Sequence, residues 1–244
     1  IITTKQNRQW LIMAAFLLFT IGYYFMGYES LFGGSYIRYR LETLAYIFSI
    51  LFVATIRMHK ALQFTAALCV LVLMIIFNTI RYPVYANISN IVAEYRSLDK
   101  FIDDESVVMP IRYEQFYTHD SEVIANKVLI FTHVAETMAP EKKLVFLDNY
   151  EANTKYFPLL WREELNPYVH LAVENEGHEM CPPHMDLEQY IKDRVDVKYV
   201  VVWGRSRAPQ DDFSVKQQNE LLLRMYEPVH TTPVFGIELY RLKK

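Results

Sequence analysis

The sequence predicts three transmembrane helices followed by a small soluble α/β domain, with a mainly parallel sheet and a C-terminal antiparallel hairpin. Three observations carry this expectation. The run Ala61 to Ile80 holds no charged residue, and roughly 20 apolar residues in a helix cross a hydrocarbon core of about 30 Å. Composition changes after residue 82, where long apolar runs give way to a stretch holding most of the Asp, Glu and Lys. In that second stretch β-branched runs alternate with helical periodicities, the pattern of crossover units that build parallel sheets.

The first span is expected over residues 10–28, Trp10 to Tyr28, with Lys5 and Arg8 before it and Tyr23, Tyr24 and Tyr28 at its far end. Aromatic rings at a helix end suit the headgroup level. Glu29 to Ser35 connects, and its Gly33-Gly34 pair breaks the helix. The second span covers residues 36–56 and starts in the interface, since Arg38, Arg40 and Glu42 sit in its first turns and long cations can snorkel outward. A basic elbow, Arg57 to Lys60, turns the chain into the third span, residues 61–81. Lys5, Arg8, Arg57 and Lys60 then share one side of the bilayer, against Arg38, Arg40 and Arg81 on the other. The positive-inside rule makes the elbow cytoplasmic and puts the second half of the chain outside the cytoplasm.

Tyr82-Pro83 is expected to end the third span, because proline donates no hydrogen bond to the helix. A connector helix follows within residues 83–104, with Ile88, Ile91, Val92, Tyr95 and Leu98 on one face. This amphipathic face reads as packing on a sheet or lying in the membrane interface. The α/β domain spans 105–244. Its strand-like runs are Ser106–Ile111, Lys143–Asp148, Lys198–Trp203 and Gly236–Leu242. The second and third are nearly continuous in apolar residues, as strands buried on both faces are. Helices are expected from Asp120 or Ser121 to Met138, over Asp186–Val195, and over Ser214–Tyr226. Pro228–Arg241 reads as the closing hairpin. The stretch Glu151–Met185, rich in Pro, Asn, His and Trp, fits no regular element, and long irregular insertions in compact domains are commonly functional.

Bulk composition hides this division. The 244 residues carry 25 Lys and Arg against 28 Asp and Glu, net charge −3. There is no basic excess and no nucleic-acid motif, so nucleic acid is not expected as a partner. The two cysteines, Cys69 in the third apolar run and Cys181 in the second half, are not expected to pair, which leaves the redox compartment open. The chain begins at Ile1 without a methionine and is expected to be a piece of a longer protein.

Three constellations carry chemistry. Arg112 ends one strand run and Asp148, Asn149, Tyr150 and Glu151 end the next. The carboxyl ends of parallel strands are the usual ligand crevice, so these groups are candidates for contacting a hydroxylated ligand. The plainer alternative has Asp148 and Asn149 capping the loop backbone. Arg38 and Arg40 can pair with a lipid phosphate, for which guanidinium geometry is suited, or simply anchor the helix end. His178, Cys181 and His184, near Glu179, Asp186 and His170, offer ligand types that zinc accepts. Their spacing matches no standard site, and a loop with surface histidines accounts for them. No Ser-His-Asp spacing, Gly-rich phosphate loop or HExxH motif is present.

Three segments together carry a resemblance: GGSYIRYRLETLAYIFSILFVA, an Arg-bearing start to a span; SVVMPIRY with the later LDNYEANTKYFPLLW; and VDVKYVVVWG with the closing GIELYRL. The chain resembles the C-terminal end of bacterial GT-C-type glycosyltransferase-like membrane proteins, in which a helical bundle precedes a soluble extracytoplasmic domain. The resemblance implies sugar transfer from a polyprenyl-phosphate carrier in the cell envelope, a multi-pass inner-membrane location, and membrane lipid as a partner. It implies no other cofactor. The family's catalytic acidic residue lies in the first extracytoplasmic loop, a part without a counterpart here, and nothing around Glu29 repeats its motif. The expectation is therefore a domain that assists acceptor or carrier binding. The rival expectation is a non-catalytic subunit whose helices pack on other transmembrane helices or subunits. A sensor domain is a third reading, without a signalling output in the sequence.

Overall fold

The computed structural model describes residues 5–25, 37–56, 59–113, 130–139, 142–149, 151–153, 157–170, 187–193, 196–208 and 213–243. The chain divides into two compact units, Ile1–Phe77 and Asn78–Lys244.

The first unit holds α1 (Lys5–Phe25), α2 (Ile37–Thr55) and the first part of α3 (Lys60–Ser97). α1 and α2 pack on each other. Phe19 stacks on Phe48 with ring centroids 5.2 Å apart, and the Gln9 side-chain amide donates to the Thr55 carbonyl at 2.7 Å.

The expectation of three transmembrane helices is overturned. Among the described residues only α3 is long and apolar enough to cross a membrane. The apolar part of α1 is the shorter stretch Gln9–Phe25. α2 spends its first turns on Arg38, Arg40 and Glu42, and the uncharged remainder falls well short of the roughly 20 residues a bilayer needs.

Pro83 does not end α3 but lies inside it, so the connector expected over 83–104 begins as a continuation of the same helix. An interior proline costs about 3 kcal/mol. Past it, Ile91, Tyr95 and Leu98 are fully buried, and each such side chain contributes about 1.5–3 kcal/mol. The core face outweighs the missing hydrogen bond.

The second unit is built on one five-stranded sheet: β1 (Val107–Arg112), β2 (Val145–Phe146), β3 (Tyr199–Trp203), β4 (Tyr226–Thr231) and β5 (Glu238–Leu242), in the order β2-β1-β3-β5-β4. Between β2 and β3 lie α4 (Pro167–His170) and α5 (Leu187–Asp193), and between β3 and β4 lies α6 (Phe213–Met225). Alternation along the strands separates two faces. Val108, Tyr199, Val201, Trp203 and Leu239 join Ile91 and Tyr95 of α3, and Leu98 just past its end, on one face. Met109, Ile111, Val200, Val202 and Tyr240 join Leu187 and Tyr190 of α5 and Leu221 and Leu222 of α6 on the other.

The expected mainly parallel sheet is also overturned: the sheet is mixed. The ladders β1–β2 and β1–β3 are parallel, with two and five residue pairs. β3–β5 and β4–β5 are antiparallel, with four and five. Pro228 gives the reason. Proline has no donor and is confined to edge strands and bulges, and the β4–β5 register shifts between Pro228 and His230. β4 thus takes the edge, and the returning β5 fills the place beside β3, where it must run antiparallel. Glu94 of α3 holds the turn between them, accepting the Val234 and Phe235 backbone N–H groups at 3.0 and 2.9 Å.

The helix expected up to Met138 is described only from residue 130, where the chain forms a turn and a short 3-10 helix, Val134–Met138. The second strand run is shorter than its apolar pattern, because Leu147 and Asp148 already belong to a turn.

Candidate functional site

The order β2-β1-β3 places the connection out of β1 on one side of that strand and the next parallel strand on the other. In open α/β sheets such a reversal opens a crevice at the carboxyl ends of the strands. Arg112 is the last residue of β1 and pairs with Trp203, the last of β3. Ile111 faces α5 and α6, so alternation turns Arg112 to the α3 side.

There Arg112, with 8% of its side chain exposed, meets Asp148, with 9% exposed. Arg112 Nη1 donates to Asp148 Oδ2 at 2.8 Å and to the Phe131 carbonyl at 3.2 Å. Phe131 in turn packs edge-on against Trp203, ring centroids 4.9 Å apart. Burial pushes the Asp148 carboxyl above the ordinary aspartate value, and the Arg112 charge opposes it. Asp148 Oδ1 is buried and has no hydrogen-bond partner among the described residues.

His133 and Glu136 complete the cluster. His133 sits at φ 66°, in the left-handed region, which histidine enters more readily than most side chains. It immediately precedes the 3-10 helix Val134–Met138, so the i,i+3 spacing brings Glu136 beneath it. The two are 2.7 Å apart, Nδ1 to Oε1. An ionised carboxylate only accepts, which assigns the shared proton to Nδ1. This hydrogen bond raises the His133 pKa, and partial burial opposes the rise. His133 and Glu136 keep 29% and 38% of their side chains exposed. They are the accessible groups, and the Arg112–Asp148 pair lies behind them.

The other residues proposed from the sequence separate. Asn149 serves the loop: Oδ1 accepts the Ala152 N–H at 3.3 Å and its carbonyl accepts the Trp161 indole N–H at 3.0 Å. Glu151 opens the short 3-10 helix Glu151–Asn153. Tyr150 lies outside the described residues, as do His178, Cys181 and His184 with Glu179 and Asp186. Arg40 is exposed on α2, and the Arg38 side chain lies outside the described set. His133 and Glu136 escaped notice because residues 121–138 read as one regular helix. The available signal was the His-x-x-Glu spacing itself, which brings the two onto one side of any helical turn.

On the opposite face of the sheet a cleft of about 320 Å³ is lined by Ile111, Leu187, Glu188, Gln217, Gln218 and Arg224 among others. Gln218 accepts a hydrogen bond from the Tyr113 hydroxyl at 2.9 Å. Arg224 and Lys192 both pair with Glu188.

Comparison with models of known families, with curated proteins and with solved structures yields no match.

Proposed function

We propose that this chain is the membrane-attached, ligand-binding C-terminal part of a glycosyltransferase-like protein of the bacterial inner membrane. Its α/β domain would hold the acceptor or the polyprenyl-phosphate carrier during envelope glycan transfer. The observation that carries this reading is α3. From Lys60 to Pro83 every residue of the helix is exposed, and a long apolar surface in contact with water is too costly to leave uncovered. The same uninterrupted helix then supplies Ile91 and Tyr95 to the core of the second unit. Lys60 at one end, preceded by Arg57, and the single Arg81 at the other favour a cytoplasmic start and an extracytoplasmic domain.

Two features support a polar ligand. Titratable groups converge at the carboxyl ends of the parallel strands, and the cleft beside α5 and α6 offers amides and charges suited to hydroxyl groups. The chain's own residues supply binding and orientation in this reading, and no catalytic step is assigned to them. The exposed apolar surface of α3 also suits helix–helix contacts, which keeps a non-catalytic subunit as the second reading.

The test uses the full chain with two vesicle compositions, phosphatidylglycerol alone and phosphatidylglycerol with polyprenyl monophosphate. The expected result is flotation with both, resistant to alkaline extraction, and tighter association when the carrier is present. Leu71→Lys combined with Ile75→Asp should abolish flotation. Association without carrier preference would move the reading to the subunit. Loss of the protein from the vesicles at alkaline pH would overturn membrane attachment.

A further inference from the structure

We propose that His133, Glu136 and Asp148 form a binding site for one Zn²⁺ ion. The argument does not depend on the glycan-transfer reading. One nitrogen of His133 and one carboxylate oxygen from each of Glu136 and Asp148 lie within 4.8 Å of one another. Zinc binds such atoms at about 2.0–2.2 Å in a tetrahedron, which places ligand atoms about 3.3 Å apart. Metal binding releases the proton that His133 shares with Glu136, and rotations of these two partly exposed side chains open their 2.7 Å separation and draw both toward Asp148.

A second, independent observation points to a cation. Asp148 is more than nine-tenths buried, and while Arg112 engages Oδ2, Oδ1 is left without a hydrogen-bond partner among the described residues. A buried carboxylate oxygen without a partner is costly, and a metal ion at this position satisfies it. Arg112 then acts as the outer group that fixes the carboxylate's orientation, as hydrogen-bonded partners of metal ligands do.

Charge decides the same way. In the deprotonated form that a metal requires, with both carboxylates ionised and the histidine neutral, two carboxylates face one guanidinium and the cluster carries one excess negative charge. A divalent ion reverses this to one positive charge and leaves a fourth position for water or an anionic group. The donor set of one imidazole and two carboxylates suits zinc and excludes the thiolate-preferring metals.

The experiment uses the full chain in detergent, stripped with chelator and dialysed. Zn²⁺ is titrated by calorimetry, Co²⁺ serves as the spectroscopic probe, and bound metal is counted by elemental analysis. The expected result is one ion per chain. Affinity should fall at least tenfold in His133→Asn, which keeps a side chain tolerant of the left-handed backbone, and in Glu136→Gln. Thermal unfolding of the metal-free variants separates lost ligands from lost folding. Cys181→Ser and His184→Ala serve as controls and should leave the affinity unchanged. No stoichiometric binding would overturn the proposal, and so would binding that survives both site variants but is lost in the Cys181 or His184 control.

Discussion

The two faces of the sheet bury polar groups by different means. On the face covered by α5 and α6 two deeply buried phenols donate to backbone carbonyls. Tyr226 reaches Val197 and Tyr190 reaches Leu165, both at 2.9 Å. Burial drives both hydroxyls up, so they stay protonated and donate. On the face covered by α3 the groups are charged: Arg112 against Asp148, with His133 and Glu136 in front. These two phenols are satisfied, whereas the Arg112–Asp148 pair leaves the Asp148 Oδ1 oxygen without a hydrogen-bond partner among the described residues. Neutral, completed hydrogen bonds specify packing, while a buried charged pair left incomplete is the kind of site at which perturbed ionisable groups cluster.

Breaking the charged pair should give the largest effect. Asp148→Ala leaves a buried guanidinium without its counter-charge, and removing one partner of such a pair costs about 3–5 kcal/mol. Denaturant unfolding of the full chain in detergent should show this, and Arg112→Met combined with Asp148→Leu should recover most of it. Failure of the double variant to recover stability would mean that the loop geometry, more than the charge, sets the cost.

On the neutral face Leu222→Ala removes a side chain that is 1% exposed. It should cost about 2–5 kcal/mol through the cavity left behind. No second substitution nearby should rescue it without refilling that volume. Tyr226→Phe keeps the ring and orphans the Val197 carbonyl, for an expected loss of about 1–2 kcal/mol. A loss as large as that of Leu222→Ala would show that the phenol does more than complete one hydrogen bond.

The smallest effect is expected at the rim of the charged face. Asp103 accepts from Lys198 at 2.6 Å and from the Tyr199 hydroxyl at 3.0 Å, and these bonds hold its pKa below the ordinary aspartate value. A depressed pKa stabilises above the unfolded value of 3.8 and is lost as pH falls through the folded one. Asp103→Asn should therefore lower stability at pH 7, by less than about 1 kcal/mol because the pair is exposed and screened. Wild type and variant should begin to converge as pH falls below 3.8 and meet only once it passes the lowered folded-state pKa of Asp103. A difference that persists there would mean a lost contact other than charge.

Local pattern made much of the second unit legible. The unbroken apolar run of β3 matches a strand with all five residues buried, and the helical periods place α5 and α6 within a few residues of their expected bounds. Strand-end reasoning set Arg112 near Asp148, and the two meet at 2.8 Å. Whether they serve a ligand is a matter for the experiments above. The cluster's front half was not legible, because His133 and Glu136 belong to a turn and a 3-10 helix whose apolar spacing imitates an α-helix. The helix break at Pro83 was misread for a related reason: proline's local cost is visible in the chain, and the burial of Ile91, Tyr95 and Leu98 that outweighs it is not.

By itself, the sequence determined which segments carry apolar faces, the strands β1, β3 and β5 and the helices α5 and α6 to within a few residues, and the uncharged run Ala61 to Ile80. These follow from side-chain periodicity and composition, which act over a few residues. The tertiary structure decided that β5 lies between β3 and β4, that the sheet is mixed, and that, among the described residues, only α3 has the length and apolarity of a span. It also brought a histidine and a glutamate from one loop against an aspartate from another. Such pairings depend on which edges and faces remain free once neighbours have packed, a long-range condition that no local stretch of residues contains.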